Sequence, residues 1–133
     1  MPPRPKPPPL VIGHSDHDRL AALADAASAR TPRLAATLLS EIERSRVVPE
    51  PQLPSDVVRM GSVVTFRDEA TAKVQSVRLV YPAEADIAAG RVSILTPIGT
   101  ALIGLTKGQS MSWQTLSGED RQLTVLGVEQ PSS

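Results

Sequence analysis

The chain has 133 residues, with 14 Lys and Arg side chains balanced by 14 Asp and Glu, no cysteine and three aromatic residues. This length suits one domain with an appendage, and the zero net charge argues against a generally basic nucleic-acid-binding or membrane-surface protein. The lack of cysteine excludes a disulfide framework and a Cys-ligated zinc site, while the short apolar runs favour neither a membrane span nor a signal peptide, so a cytoplasmic protein is expected.

The first 13 residues are predicted to form a Pro-rich tail. Six of the 13 prolines lie within the opening letters MPPRPKPPP. Because proline fixes φ and lacks a backbone N–H, residues 1–13 are expected to be extended or disordered rather than packed. The alternative interpretation is that this tail docks as a polyproline ligand onto an aromatic groove.

Residues 14–46 are predicted to form a helical hairpin. Apolar side chains recur at helical spacing in two stretches, separated by room for a tight turn. Ser15 and Asp18 have the pattern of a capping box, and Thr31 followed by Pro32 is typical of a helix start. The two helices should therefore run antiparallel and, being short, lean on the domain that follows.

The remainder of the chain is predicted to be an α+β domain behind a linker. Prolines at positions 49, 51 and 54 indicate a stiff extended linker over residues 47–54. From residue 55 to 133 the apolar pattern changes to alternation, which predicts a small antiparallel sheet with one short helix. The predicted strands are 62–67, 72–81, 91–95, 110–116 and 122–128, and the predicted helix is 97–104.

The chain offers little that is typical of catalysis. His14 and His17 lie beside two aspartates and can be interpreted as metal ligands or as the polar start of a helix, which we favour. No GxSxG nucleophile motif is present. Glu84 and Asp86 form an acidic pair that suits acid–base work, a partner contact or an ordinary solvated loop, the last being the commonest. No catalytic, metal or cofactor site is therefore predicted.

Four phrases of the sequence resemble a known family. They are DVVRMGS at 56–62, VRLVYPA at 77–83, SILTPIGTALIGL at 93–105 and GQSMSW at 108–113. In order and spacing they resemble Rnk, the bacterial regulators of nucleoside diphosphate kinase, which are related to the Gre transcript cleavage factors. The strongest phrase is residues 96–104, named here the signature segment. The resemblance implies an FKBP-like C-terminal domain behind an N-terminal antiparallel coiled coil.

The resemblance also implies a partner, RNA polymerase, gripped by the C-terminal domain near the entrance of the secondary channel. In Gre cleavage factors, acidic residues at the coiled-coil tip help to hold a catalytic magnesium ion inside the polymerase. The tip of this chain, residues 28–33, is basic, and its nearest carboxylate is Asp25. The hairpin is also much shorter than a Gre coiled coil. The implied function is a non-enzymatic regulator that lacks transcript cleavage activity.

Docking is expected to involve the hairpin tip, the loop around residues 84–89, the signature segment and the sheet edge. The expected partner-binding residues are Arg30, Arg33, Glu84, Asp86, Thr96, Gly99 and Thr100. Neither sequence-specific nucleic-acid binding nor a stable oligomer is expected, and no residue supports direct action on nucleoside diphosphate kinase.

An alternative function is an FKBP-like module that binds or isomerises proline-containing peptides. Such a module needs an apolar pocket, usually walled by aromatic side chains. Phe66, Tyr81 and Trp113 are the only aromatic residues in the sequence. They are expected to be buried in the core, which leaves none to form such a pocket and counts against this alternative.

Overall fold

The computed structural model describes residues 10–115 and 117–130. The predicted tail up to residue 9 and the end of the fourth predicted strand at Leu116 lie outside the described residues. Two helices come first, and a five-stranded sheet with one short helix follows. The predicted α+β class, a helical hairpin followed by a small β-rich domain, is confirmed.

The helical hairpin consists of α1 (His14–Ala27) and α2 (Pro32–Arg44). Pro32 occupies the first turn of α2, as predicted, because its missing N–H has no intrahelical acceptor there. Thr31 stands at the cap position, but its hydroxyl donates to the Ala27 carbonyl at 3.2 Å instead of accepting from α2. Thr31 thus fastens the turn to the end of α1.

The start of α1 differs from the predicted capping box. Gly13, not Ser15, precedes the helix, and the Ser15 backbone N–H donates to Glu50 Oε1 at 2.6 Å. A carboxylate is favourable at this position because the helix N-terminus carries unpaired donors and a partial positive charge. A Cβ on Gly13 would lie 2.8 Å from Glu50 Oε2, so the close approach favours glycine.

A short parallel pair of strands closes the base of the hairpin. It is formed by β1 (Val11–Gly13) and β2 (Arg46–Val48), and the Val11 N–H donates to the Gly104 carbonyl at 3.1 Å. The sequence expectation assigned the first of these strands to the tail and most of the second to the linker. They are ordered because Leu10 and Ile12 are 1% and 2% exposed, and this apolar anchor outweighs the prolines on either side.

The main sheet has five strands in the spatial order β5-β4-β3-β7-β6. Their bounds are β3 (Val63–Asp68), β4 (Val74–Val80), β5 (Arg91–Ser93), β6 (Ser110–Gln114) and β7 (Asp120–Glu129). All pairs are antiparallel, as predicted, except that β5 runs parallel to β4. Two 3-10 turns, Pro82–Glu84 and Ile87–Ala89, return the chain to the side of β4, so that β5 runs in the same direction as β4.

The hairpin and the sheet share one hydrophobic core. Helix α3 (Pro97–Leu102) packs on β6, and α2 packs against α3. Leu20 of α1 and Leu38 of α2 are fully buried in the same cluster as Leu79 and Leu123 of the sheet. The hairpin therefore leans on the body along much of its length. No described helix is long and apolar enough to cross a membrane.

Candidate functional site

The signature segment begins with a tightly bonded cap. Thr96 Oγ1 accepts from the Gly99 N–H at 3.0 Å and donates to the Ser93 carbonyl at 2.7 Å. Gly99 is buried, and a Cβ there would collide with the Ser93 carbonyl oxygen. The Thr100 hydroxyl donates to the Ile94 carbonyl at 2.8 Å, and this residue is 1% exposed. Thr96, Gly99 and Thr100 therefore hold α3 against the end of β5.

The expectation that Thr96, Gly99 and Thr100 contact a partner stays a prediction, and this placement leaves it little surface. Gly99 and Thr100 offer almost no surface, and the hydroxyl of Thr96 is already both donor and acceptor. A partner could use them only after the α3 cap had opened, which would leave buried polar groups unpaired. They are structural residues in this fold.

The loop formed by residues 82–89, named here the docking loop, has the opposite character. Every residue in it is exposed, and the Ile87 side chain reaches 90% exposure. Asp86 accepts from the Ala89 N–H at a long 3.4 Å, while Glu84 has no side-chain bond among the described residues. The structure thus presents Glu84 and Asp86 together on the surface, on either side of Ala85 and directly before the exposed Ile87.

The hairpin tip presents basic side chains. Arg30 and Arg33 are exposed, and neither forms an ion pair within the described part of the chain. Asp25, the nearest carboxylate along α1, is also exposed. Arg33 and Leu34 line the same surface cleft as Gln114 and residues near it, so the tip lies beside the sheet.

The root of the docking loop is fixed to α1. The Arg19 guanidinium lies 4.3 Å from the centroid of the Tyr81 ring, and burial raises the pKa of the Tyr81 hydroxyl. Three residues earlier in α1, Asp16 accepts from the Met60 N–H at 3.2 Å, and burial raises the pKa of its carboxyl. By contrast, the hydrogen bonds from Ser15 lower the pKa of Glu50. The contact between Arg19 and Tyr81 therefore holds the residue before the docking loop against α1, while the other two contacts fasten Met60 and Glu50 to the start of the hairpin.

A cleft of about 760 Å³ opens between α2, α3 and the β6–β7 edge of the sheet. Trp113 lines it together with Met111, Leu34 and Pro97, and it also packs against the core. Trp113 is thus used in the core, as expected, and also lines the cleft. The sequence signal was present in the alternation of Met111 and Trp113 on one strand face, but only the packing of α2 creates the opposite wall.

The cleft is bordered by carboxylates and by one fixed arginine. Arg121 donates to Asp68 at 2.7 Å, and hydrogen bonds from the Ala70 N–H and from Arg121 lower the pKa of Asp68. Glu41 and Glu69 line the cleft and pair with arginines, whereas the Asp120 side chain accepts, among the described residues, from the Gln114 amide alone, at 3.2 Å.

The histidine and aspartate cluster at the start of α1 does not converge on a metal position. His17 Nδ1 lies 3.2 Å from Asp18 Oδ1, which is a pairwise contact. Within residues 10–115 and 117–130, no group of three or more His, Asp or Glu side chains is arranged to hold a metal ion.

Two family models match consecutive parts of the chain. The model for the Rnk N-terminus matches residues 8–48, and the model for the C-terminal domain of the transcription elongation factors GreA and GreB matches residues 53–130. The boundary between them falls in the predicted linker. The resemblance drawn from the four sequence phrases is thereby confirmed.

Relatives and solved structures agree with these matches. The regulator of nucleoside diphosphate kinase of Escherichia coli K12 is 32% identical over 92% of this chain and 90% of its own length. Elongation factor GreA of Azorhizobium caulinodans is 40% identical over 62% of this chain, which spans 53% of that protein. A GreA/GreB elongation factor structure from Nitrosomonas europaea, 32% identical, superposes with a TM-score of 0.73 over 90% of this chain and 98% of that one.

Proposed function

The chain belongs to the family in which an Rnk N-terminus precedes a GreA/GreB C-terminal domain, and from this premise we propose that it is a cytoplasmic transcription regulator that binds RNA polymerase near the secondary channel and does not cleave transcripts. Its relatives are named as a regulator and as elongation factors. The observation that carries the proposal is the pairing of an exposed docking loop with a hairpin tip that has no carboxylate.

The docking loop supplies the main contact. Ile87 is 90% exposed, so no described residue covers this large apolar side chain. Full burial of such a side chain in a partner gains about 1.5–3 kcal/mol relative to exposure. Glu84 and Asp86 beside it select a partner surface that is apolar at its centre and basic at its rim.

The hairpin tip explains why binding is separate from cleavage. Coordination of a magnesium ion in the polymerase would need carboxylate oxygens at the tip, and residues 28–33 supply only two guanidinium groups. The helices have 14 and 13 residues, hence lengths of about 20 Å, and both pack on the core that they share with the sheet. The hairpin therefore covers the channel entrance and does not reach the active centre.

A retention assay on immobilised core RNA polymerase tests the binding. Ile87→Ser should weaken retention at least about five-fold, since the lost burial is worth 1 kcal/mol or more. Val74→Ser is the matched control because Val74 is 56% exposed and lies outside the docking loop, on β4. Equal retention of both variants and the native chain would remove the docking loop from the interface.

The same assay separates the tip from the docking loop. The double variant Arg30→Ala/Arg33→Ala should lower retention by less than Ile87→Ser, because exposed charges contribute little to affinity and act mainly on association rate. A larger loss than for Ile87→Ser would reverse this assignment and make the tip the principal contact.

A cleavage assay tests the second half of the proposal. Backtracked transcription complexes supplied with Mg²⁺ and the purified chain should shorten their RNA no faster than complexes without it. The chain should also slow shortening by an added Gre cleavage factor, since both occupy one channel entrance. Faster magnesium-dependent shortening with this chain alone would contradict the proposal.

A further inference from the structure

The docking loop joins the fold at two ends, which are held in different ways. Its later end belongs to the sheet, because Asp86 and Arg91 exchange two backbone hydrogen bonds, of 3.0 and 2.9 Å. Gly90, whose φ is 75°, makes the tight return that this bridge needs. The earlier end follows Tyr81, just beyond β4, and has no such bridge within the part of the chain that the structure describes.

Tyr81 supports the earlier end of the loop. Its carbonyl accepts from the Glu84 N–H at 2.9 Å and so closes the first 3-10 turn of the loop. Its ring packs against the hydrophobic core, yet its buried hydroxyl has no hydrogen-bond partner among the described residues. Contacts of the ring, and not a hydrogen bond of the hydroxyl, therefore fix this side chain.

Arg19 of α1 provides a contact to this ring from the hairpin. Its guanidinium lies 4.3 Å from the ring centroid of Tyr81, well within cation–π range. Arg19 is exposed and forms no ion pair with any described residue. Asp16, three residues earlier on the same face of α1, accepts from the Met60 N–H at 3.2 Å. Arg19 therefore reaches Tyr81 from a helical turn that is fastened to the body.

The charges around the ring favour a cation at this position. After burial, the negative charges of Asp16 and Glu84 raise the pKa of the Tyr81 hydroxyl, whereas Arg19 lowers it. One of these carboxylates belongs to α1 and the other to the docking loop. A guanidinium over the same ring is attracted to both, so it favours the arrangement in which the loop lies against the helix.

We propose that Arg19 is a positioning residue for polymerase binding, which holds the Tyr81 ring and thereby keeps Glu84 in line with Asp86 and Ile87. This role rests on the proposed function, in which the docking loop contacts the polymerase. A loop that is already ordered loses less conformational freedom on binding, so Arg19 increases affinity without touching the partner. The base of the hairpin then contributes to docking as well as its tip.

Amide hydrogen exchange in the full chain tests the positioning without the polymerase. Arg19→Gln should accelerate exchange about two- to five-fold at the Glu84 and Ala85 amides, the change expected on losing an exposed cation–π contact. The Ala89 and Gly90 amides donate within the bridged end of the loop and should keep their rates.

Matched variants identify the contact that matters. Tyr81→Phe keeps the ring and removes only a hydroxyl without a partner, so it should leave these exchange rates unchanged. Arg19→Lys keeps the cation and should recover at least half of the effect of Arg19→Gln. Lys107→Ala, which removes an exposed cation outside the hairpin and the docking loop, should change nothing.

Retention on immobilised core RNA polymerase tests the consequence for binding. Arg19→Gln should lower retention about two- to five-fold, and Arg19→Lys should again recover at least half of the loss. In a Tyr81→Leu background, which lacks the ring, Arg19→Gln should cause no further loss, because the two changes break one contact.

Three results would overturn the proposal. The first is unchanged exchange at Glu84 and Ala85 in Arg19→Gln. The second is a loss of retention that persists in full in the Tyr81→Leu background, which would make Arg19 a direct contact of the polymerase. The third is retention that falls for Ile87→Ser but not for Arg19→Gln, which would leave the docking loop as the contact and remove only the positioning role. Retention that falls for neither variant would remove the docking loop from the interface and this role with it.

Discussion

The signature segment and the docking loop follow one another in the chain but have opposite roles in the structure. Each contains a short helical turn that is capped by a side-chain oxygen, which accepts from the backbone N–H three residues further along. Thr96 accepts from Gly99 in the signature segment, and Asp86 accepts from Ala89 in the docking loop. In the signature segment that cap is 3.0 Å long and surrounded by buried residues. In the docking loop the equivalent bond is 3.4 Å long, and every neighbouring residue is exposed.

This difference shows that the residues by which the family is recognised are not the residues that the surface offers to a partner. Residues of the phrase by which the family was recognised, including Gly99 and Thr100, are buried and packed into the fold. The residues available to a partner, above all Ile87, have no evident role in stability. A recognisable sequence phrase therefore identifies the scaffold, and the contact surface has to be sought among exposed side chains beside it.

The largest effect that would test this contrast is expected for Gly99→Ala. The added Cβ would meet the Ser93 carbonyl oxygen and approach Ile94 Cα to 3.0 Å, and backbone atoms cannot rotate away. We expect a loss of about 3 kcal/mol in the free energy of unfolding, the upper part of the range for overpacking. Chemical denaturation monitored by circular dichroism measures it.

Gly127→Ala is the control for that prediction. Gly127 lies in β7, and a Cβ there meets nothing within 4 Å. Its free energy of unfolding should change by less than about 0.5 kcal/mol. If Gly99→Ala were equally mild, the signature segment would not be structurally essential and its residues would return as candidates for docking.

A smaller effect is expected for Thr96→Ala. The substitution removes the cap of α3 and the bond to the Ser93 carbonyl at 2.7 Å. Loss of a threonine cap costs about 1 kcal/mol, within a range of 0.5–2. The same denaturation measurement checks it, and Thr96→Ser, which keeps the hydroxyl, should recover most of the loss. Failure of serine to recover stability would mean that the methyl packing, and not the cap, is what matters.

The sequence predicted the regular elements because their signals are local. Pro32 marks the start of α2, and the alternation from Val64 through Thr65 and Phe66 to Arg67 marks β3, in which buried and partly buried residues follow one another. Features that join distant parts of the chain were missed. Glu50 caps a helix that begins 36 residues earlier, at His14, and no local pattern indicates that pairing.

The candidate site was predictable only in part, for the same reason. Exposure of Glu84 and Asp86 follows from their loop composition, but the burial of Thr100 depends on where α3 packs. The cleft beside Trp113 exists because α2 and α3 face the β6–β7 edge, and that arrangement depends on the packing of the whole core.

The smallest effect, and the sharpest test of the contrast, is expected for Asp86→Ala, the counterpart of Thr96→Ala. Only one long side-chain bond is lost, since the Ala89 N–H keeps its 3.1 Å bond to the Asp86 carbonyl. The free energy of unfolding should fall by less than about 0.5 kcal/mol, as for other surface changes. Amide hydrogen exchange should accelerate at residues 87–89 alone. A global loss as large as that of Thr96→Ala would mean that the docking loop supports the fold, and its exposure would no longer argue for a contact surface.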